Sequence, residues 1–364
     1  MSKKEETTHV YLHNAKLNKK DEFYTQLADI EREFKHYKEY FFDKTVLCNC
    51  DDPRFSNFTR YFQLNFEALG LKKLICTHFD AEKATYKLEI TRNEKLLKNG
   101  SVQIGLPDFI ETPLTQNGDF RSPECIELLK EADIVCTNPP FSLFREYIAL
   151  LEEYNKKFIV IGNTNALTYK EIFKLIKEDR IRTGYTNFNV GMYFYVPDTY
   201  EKYHKIEDGR KMVRVSTSCW FTNMEVKKHK ETMILYKPYI EEEYQKYYNF
   251  DAINIDKVQD IPVDWEGLMG VPITFLDKYN PDQFEIIGLG ISNSGLSIGV
   301  KPYTPEHKKY RKEVQHKGAV DGDLYMLDEN NNPKVPYARV IIKRKWYYEN
   351  RNARNINKRC LSRI

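Results

Sequence analysis

Four short apolar runs, TVLCNC at 45–50, LKKLICTHF at 71–79, ADIVCT at 132–137 and KFIVIGN at 157–163, recur along the chain with helical patterns between them. Runs of this length read as strands. Leu27, Ile30, Phe34, Tyr37 and Phe41, spaced alternately three and four apart, predict a helix over residues 26–41. Phe58, Phe62, Phe66 and Leu69 mark a second helix, stopped by Gly70 in the C-terminal capping position. Ser122 as N-cap and Pro123 at the first helical position open a third helix through Leu129. A fourth carries Phe144, Tyr147, Ile148 and Leu151 on one face, and a fifth lies around TYKEIFKLIKE at 168–178. Such alternation implies an α/β fold with a largely parallel sheet covered on both faces, whose ligands collect at the carboxyl ends of the strands.

The pattern changes near residue 180. RIRTGYT, GMYFYVP and VSTSCWFTNM supply successive strands, EDGRK is a hairpin turn, and the sheet is expected to finish antiparallel. Short strands are expected around YKLEI and VQIGL, and Trp220 in the core. Beyond residue 226 the chain is Tyr- and Lys-rich and irregular, with a hairpin around LYMLDENNNPKVPYARVII. We therefore divide it into a catalytic region, 1–225, and a smaller recognition region, 226–364. With 41% hydrophobic residues, both can bury a core.

Seven cysteines, an odd number lying mostly inside apolar runs, suit reduced thiols in a cytoplasm, and no disulfide is expected. The opening stretch MSKKEETTHVYLHNAK has no apolar signal region, and no run approaches the ~18 apolar residues of a membrane span. The net charge is only +3, yet residues 341–364 hold eight Lys/Arg against one Glu, so the rest of the chain is net acidic. A basic, aromatic, Asn-rich tail suits either phosphate contact or plain solvation.

The strand ADIVCT ends on Asn138-Pro139-Pro140-Phe141. Two prolines cannot continue a hydrogen-bond ladder, and Pro140 biases Pro139 away from helical angles, so the chain must turn stiffly at the top of the sheet. A rigid turn there aims the amide oxygen of Asn138 and the carbonyl of Pro139 at one point, with the flat face of Phe141 beside them. Two acceptors suit an incoming NH₂ group. Adenine N6 is a poor nucleophile because its lone pair is delocalised, and acceptors on its hydrogens favour a pyramidal nitrogen. Holding that nitrogen in line with an activated methyl group supplies proximity and charge stabilisation.

With these residues the sequence resembles the EcoRI-type adenine-specific DNA methyltransferases. The resemblance rests on KKDEFYTQ at 19–26, CNCDDPRFSNF at 48–58, GDFRS at 118–122, TNPPFSLF at 137–144, TYKEIFKLIKE at 168–178 and MGVPITFLDKYNP at 269–281. It implies a Rossmann-like methyltransferase sheet, S-adenosyl-L-methionine as donor, and double-stranded DNA whose target adenine is flipped out. It also implies a functional monomer partnered with a restriction endonuclease. Asn138 and Pro139 would then hold N6, with Phe141 stacked on the flipped base. EFYTQ implies that Tyr24 and Thr25 contact the methionine end of the cofactor, although Thr25 also suits a helix N-cap. Where many methyltransferases place a Gly-rich loop, this chain has Asn49, Asp51, Asp52 and Pro53 without a glycine, and which of them meets the cofactor stays open. Asp80 in THFD is the candidate acid after the second strand. In GDFRS, Asp119 suits the cofactor's adenine amino group with Phe120 on that ring, or simply a turn feeding Ser122.

Other signals point to less. Cys48, Cys50 and His78 lack zinc spacing, and no metal is expected. PDQFEII at 281–287 lacks the lysine of a nuclease site, so no cleavage is expected. PEHKKYRKEVQHK at 305–317 reads as an exposed loop, with phosphate contact by Lys308, Lys309, Arg311 or Lys312 as the lesser alternative. Two alternatives stay open: methylation of another amine, such as an RNA base or a protein glutamine, and a binding protein without catalysis. The first needs no region like 226–364, and the second predicts nucleic-acid binding indifferent to cofactor.

Overall fold

The structure, a computed structural model, describes residues 23–80, 85–96, 102–104 and 108–345. Residues 19–22 of the first quoted motif, Cys360 and all but the first five residues of the basic tail lie outside the described residues. The chain forms two compact units. One runs to Ala166 and resumes over Ile181–Glu225; the other comprises Leu167–Arg180 and the chain from Val226 on. The segment 167–180, placed in the first region by its sequence, thus groups with the second.

An eight-stranded sheet forms the first unit. Its strands, in chain order, are β1 (Thr45–Cys48), β2 (Lys73–Thr77), β3 (Tyr86–Thr91), β4 (Asp108–Pro113), β5 (Ile134–Thr137), β6 (Lys157–Asn163), β7 (Arg182–Thr183) and β8 (Ser218–Thr222). Their spatial order is β7-β8-β6-β5-β1-β2-β3-β4. The four strands in the middle, β6, β5, β1 and β2, run parallel, and both margins are antiparallel. This is the Rossmann-like α/β sheet expected, and its late end does finish antiparallel. β4, with its polar DFIETP, escaped the sequence reading because an exposed edge strand carries little apolar pattern.

Alternation along β8 shows that both faces are covered. Trp220, fully buried, has its ring 5.6 Å from Phe34 on helix α1 (Leu27–Phe34) and 6.1 Å from Phe58 on helix α2 (Asn57–Leu64). The next residue, Phe221, meets Phe144 at 5.0 Å on the other side. Phe144 opens the helix Phe144–Glu153, and Gly162 on β6 lacks the Cβ that would stand 2.5 Å from its ring.

Three helix boundaries differ from expectation. The segment 26–41 divides into α1 and a 3-10 turn, Lys38–Phe41, because Tyr37 leaves helical angles while its hydroxyl reaches back to Glu33 at 2.9 Å. Ile30, Phe34, Tyr37 and Phe41 are nonetheless all buried. α2 ends at Leu64, and turns carry the chain to Gly70, whose φ of +62° lets the Leu71 amide close onto Phe66. The third expected helix opens at Pro123 as expected but runs to Glu131, past Leu129, and the Ser122 side chain accepts from the Cys125 amide at 3.3 Å. Ser122→Ala is expected to lower stability by about 1 kcal/mol, read as a lower urea midpoint with an unchanged slope.

One strand left the expected sheet. Met192–Tyr195 pairs instead with Tyr24–Thr25 on one side and Arg210–Val215 on the other, and Lys205–Glu207 completes this second, four-stranded sheet. The turn between the last two, Asp208-Gly209, has both φ angles positive, as a tight hairpin requires.

The second unit is more regular than its sequence suggested. Ile253–Asn254, Met269–Pro272, Arg339–Arg344 and Phe284–Leu289 form a four-stranded sheet in that order, and the expected hairpin joins Met326–Leu327 to Pro333–Lys334. PEHKKYRKE is a helix, Pro305–Glu313, capped by Thr304, and not a loop. Lys308 pairs with Asp321 at 2.7 Å, and Arg311 is buried on Gln315 and the Gly318 carbonyl. Only Lys309 and Lys312 of that quartet keep the exposure phosphate contact needs.

Candidate active site

β1 lies between β2 and β5, so the connections leaving its two sides run opposite ways and open a crevice at the strand carboxyl ends. Asn49 follows β1 and Asn138 follows β5. Asn138 is buried, and its Nδ2 donates to the Phe23 carbonyl at 2.6 Å. Because a carbonyl takes only the NH₂ side of the amide, this bond fixes which way the amide faces. Oδ1 is buried with no hydrogen-bond partner among the described residues. A buried acceptor left open costs about 1–3 kcal/mol, so at a strand end Oδ1 is free to accept from a donor brought by a ligand or a water.

Pro139 is buried, and Pro140, at φ −54° and ψ 125°, leads into a 3-10 turn over Phe141–Leu143. Phe141 is half-buried, stacked on Phe23 at 6.2 Å and 20° and edge-on to Phe194 at 6.4 Å. Phe23 therefore orients the amide through its backbone and backs the aromatic ring through its side chain. Phe23 stands in EFYTQ, where the sequence alone gives it no role.

The short strand Tyr24–Thr25 lies beside this turn. Asn57 at the start of α2 donates to the Thr25 carbonyl at 2.7 Å. Thr25 Oγ1 is a second buried polar atom without a partner among the described residues. Thr25 does not cap α1; Gln26 holds that position. Tyr24 is half-buried and pairs with Tyr195.

The glycine-free loop after β1 closes through its own carboxylates. Asp52 Oδ1 accepts from the Arg54 amide at 2.9 Å and from the Tyr86 hydroxyl at 2.7 Å, while His78 approaches Oδ2 at 3.9 Å. Asp51 accepts from Ser56 at 3.3 Å, Ser56 caps α2, and Pro53 is buried. Asn49 Oδ1 accepts from the buried Tyr147 hydroxyl, whose ring meets the buried Phe120 edge-on at 5.0 Å. Tyr147 so links the β1 loop to the GDFRS loop, a role its sequence pattern, that of a core residue on a helix face, did not reveal.

Asp119 is held by Arg121, which donates through Nε at 2.9 Å and Nη2 at 2.7 Å and keeps the carboxyl below the usual range. The Asp119 carbonyl also accepts the Ser122 amide at 2.9 Å, so the turn reading holds. The Arg121 amide also donates to Asp119 Oδ1 at 2.9 Å; a carboxylate has about four lone-pair sites, so three bonds leave room for one further donor. The Asp80 amide binds the Asn117 carbonyl at 3.1 Å, which joins the β2 end to the same loop. The six described cysteines are free, and among the described residues no group of His, Cys, Asp or Glu is placed to hold a metal. No helix among them is long and apolar enough to cross a membrane.

These residues fit the expected S-adenosylmethionine. An acidic loop at the β1 end suits a sulfonium and an ammonium group, and the unpartnered Thr25 hydroxyl and buried Phe120 supply a polar and a flat contact. Comparison with known proteins gives the same direction. The family described as "Adenine-specific methyltransferase EcoRI" matches residues 11–345. Type II methyltransferase M.EcoRI of Escherichia coli is 43% identical over 349 residues, 93% of this chain and 97% of the relative. Type II methyltransferase M.MpnI of Mycoplasma pneumoniae is 41% identical over 92% of this chain and 98% of the relative. M.MgeORF184P of Mycoplasma genitalium is 37% identical with the same coverage of both chains, 92% and 98%. No solved structure matches.

Proposed function

This chain belongs to the EcoRI family of adenine-specific methyltransferases, and from that premise we propose that it methylates N6 of a flipped adenine in duplex DNA. It is a DNA adenine methyltransferase of the restriction-modification kind, and we assign it a restriction endonuclease as functional partner, a monomeric working state and a cytoplasmic setting.

The observation that carries this reading is the Asn138 amide, locked by Phe23 with its oxygen buried and without a partner among the described residues. In the proposed reaction Asn138 Oδ1 and the Pro139 carbonyl accept the two N6 hydrogens, which localises the nitrogen lone pair. Pro139 and Pro140 keep both acceptors fixed while charge develops, so no reorganisation is required at the moment of transfer. Phe141 receives the flipped base on its ring, and Phe23 behind it prevents the ring from folding away. S-adenosylmethionine supplies, when bound, a methyl group on a positively charged sulfur. Tyr24, Thr25 and Asp51 would hold its methionine end, and Asp119 with Phe120 its adenine; Asn49, Asp52, Pro53 and Asp80 shape the loops that carry them.

Incubating the protein with methyl-labelled S-adenosylmethionine and unmethylated duplex DNA is expected to yield N6-methyladenine at one sequence context. Label appearing only in RNA or in a protein glutamine would replace DNA as substrate. DNA binding without any transfer would make it a non-catalytic binder.

A further inference from the structure

Where the loop after β1 runs into α2, the first unit holds a cleft of about 480 Å³ that none of the expected site residues except Pro53 borders. Its lining includes Arg54, Arg60 and Arg210, together with Phe55 and Asn57, and no carboxylate. Arg54 is engaged by Glu111 at 2.9 Å and lies over the Tyr86 ring. Arg60, on the exposed side of α2, and Arg210, whose guanidinium lies 4.1 Å over the Tyr195 ring, are exposed. Two arginines lining one concave space, with no acid among the described residues paired to either, make a seat for an anion, and the planar fork of arginine matches phosphate better than lysine does. Phe55, 63% exposed, adds an apolar contact that a phosphate alone has no use for and a nucleotide does.

Its position relative to the acceptor turn identifies the anion. Asn57, which lines the cleft, binds the Thr25 carbonyl, and Asn138 binds the Phe23 carbonyl. Carbonyls two residues apart on an extended strand point to the same side and lie on the order of 7 Å from one another. The cleft therefore adjoins the place where the flipped base is received, within reach of the sugar-phosphate that carries it.

We propose that Arg60 and Arg210 clamp a phosphodiester of the DNA strand bearing the target adenine. This rests on the reading of the protein as a DNA methyltransferase and names a positioning contact for it. A phosphate grip there holds the strand while its base is out of the stack, and carries no sequence information.

The test is the double variant Arg60→Ala/Arg210→Ala beside Arg60→Lys/Arg210→Lys, measured as DNA affinity against salt concentration and as binding of labelled S-adenosylmethionine without DNA. The alanine pair is expected to lower affinity roughly tenfold for cognate and unrelated duplexes alike and to reduce the salt slope by about one. The lysine pair retains the slope, and cofactor binding stays within about twofold in both. An alanine pair with wild-type slope overturns the clamp. Loss of cofactor binding with DNA affinity intact also overturns it and reassigns the arginines to the cofactor's carboxylate. If the unaltered protein neither binds nor methylates duplex DNA, the proposed function fails, and the clamp with it; if it does both while the variants match it, the clamp alone fails.

Discussion

Asn138→Ala is expected to reduce single-turnover methyl transfer to DNA by about 10²–10³-fold, the range seen when one preorganised polar partner of a transition state is removed. The substitution takes away Oδ1, the buried acceptor without a partner, and the bond of Nδ2 to the Phe23 carbonyl at 2.6 Å. The two losses act on different quantities. Oδ1 acts only when the amine is present, so its removal lowers the chemical step; the Phe23 bond holds the turn, so its removal loosens Phe141 as well. Asn138→Asp separates them. It keeps an acceptor oxygen but sets a carboxylate against the Phe23 carbonyl, and activity is expected to fall between wild type and alanine. Cofactor affinity should change little in either variant, because Asn57 still holds the strand of Tyr24 and Thr25 through the Thr25 carbonyl. Wild-type turnover in Asn138→Ala, or a defect confined to cofactor affinity, would remove Asn138 from the acceptor site.

The sequence disclosed this turn well because its constraints are local. Two prolines forbid a ladder whatever surrounds them, and an apolar run before them places them at a strand end. The alternation of strands and helices was legible for the same reason: β1, β2, β5 and β6 are buried on both faces, so each is a continuous apolar run. What failed to show was whatever depends on long-range pairing. GMYFYVP reads as a strand, but nothing in it says that its partner is Tyr24–Thr25, 167 or more residues earlier. Arg311 reads as a solvated cation, and only the folded chain brings the Gly318 carbonyl and Gln315 to its buried guanidinium. Within the site, the acids of CNCDDP suggested ligand binding by composition. The structure engages Asp52 with Tyr86 and the Arg54 amide, so part of that acidity shapes the loop that a glycine shapes elsewhere.

The second large effect is expected at a glycine that the sequence passed over inside GDFRS. Gly118 has φ of +72°, and a Cβ built there would stand 1.9 Å from the His78 carbonyl oxygen and 3.0 Å from Thr85 Oγ1. Alanine meets two separate penalties. The left-handed backbone costs about 1–2 kcal/mol for any residue with a Cβ, and the overlap is with backbone, which cannot rotate aside as a long side chain can. Overpacking of that kind adds about 1–3 kcal/mol. Relief requires the 117–120 loop to move from the end of β2, which breaks the Asp80 amide bond to Asn117 and displaces Asp119 and Phe120 together. Gly209 supplies the control, since it has φ of +74° but nothing within 4 Å of its would-be Cβ. Gly209→Ala should therefore show the conformational cost alone, about 1 kcal/mol, with cofactor binding unchanged. Gly118→Ala should be destabilised by roughly 3 kcal/mol or more in urea unfolding and should bind labelled S-adenosylmethionine at least tenfold more weakly. Equal destabilisation by the two substitutions would mean that the close approach of Gly118 to His78 contributes nothing. Normal cofactor affinity in a destabilised Gly118→Ala would take Asp119 and Phe120 out of the cofactor site while leaving the acceptor turn at Asn138 untouched.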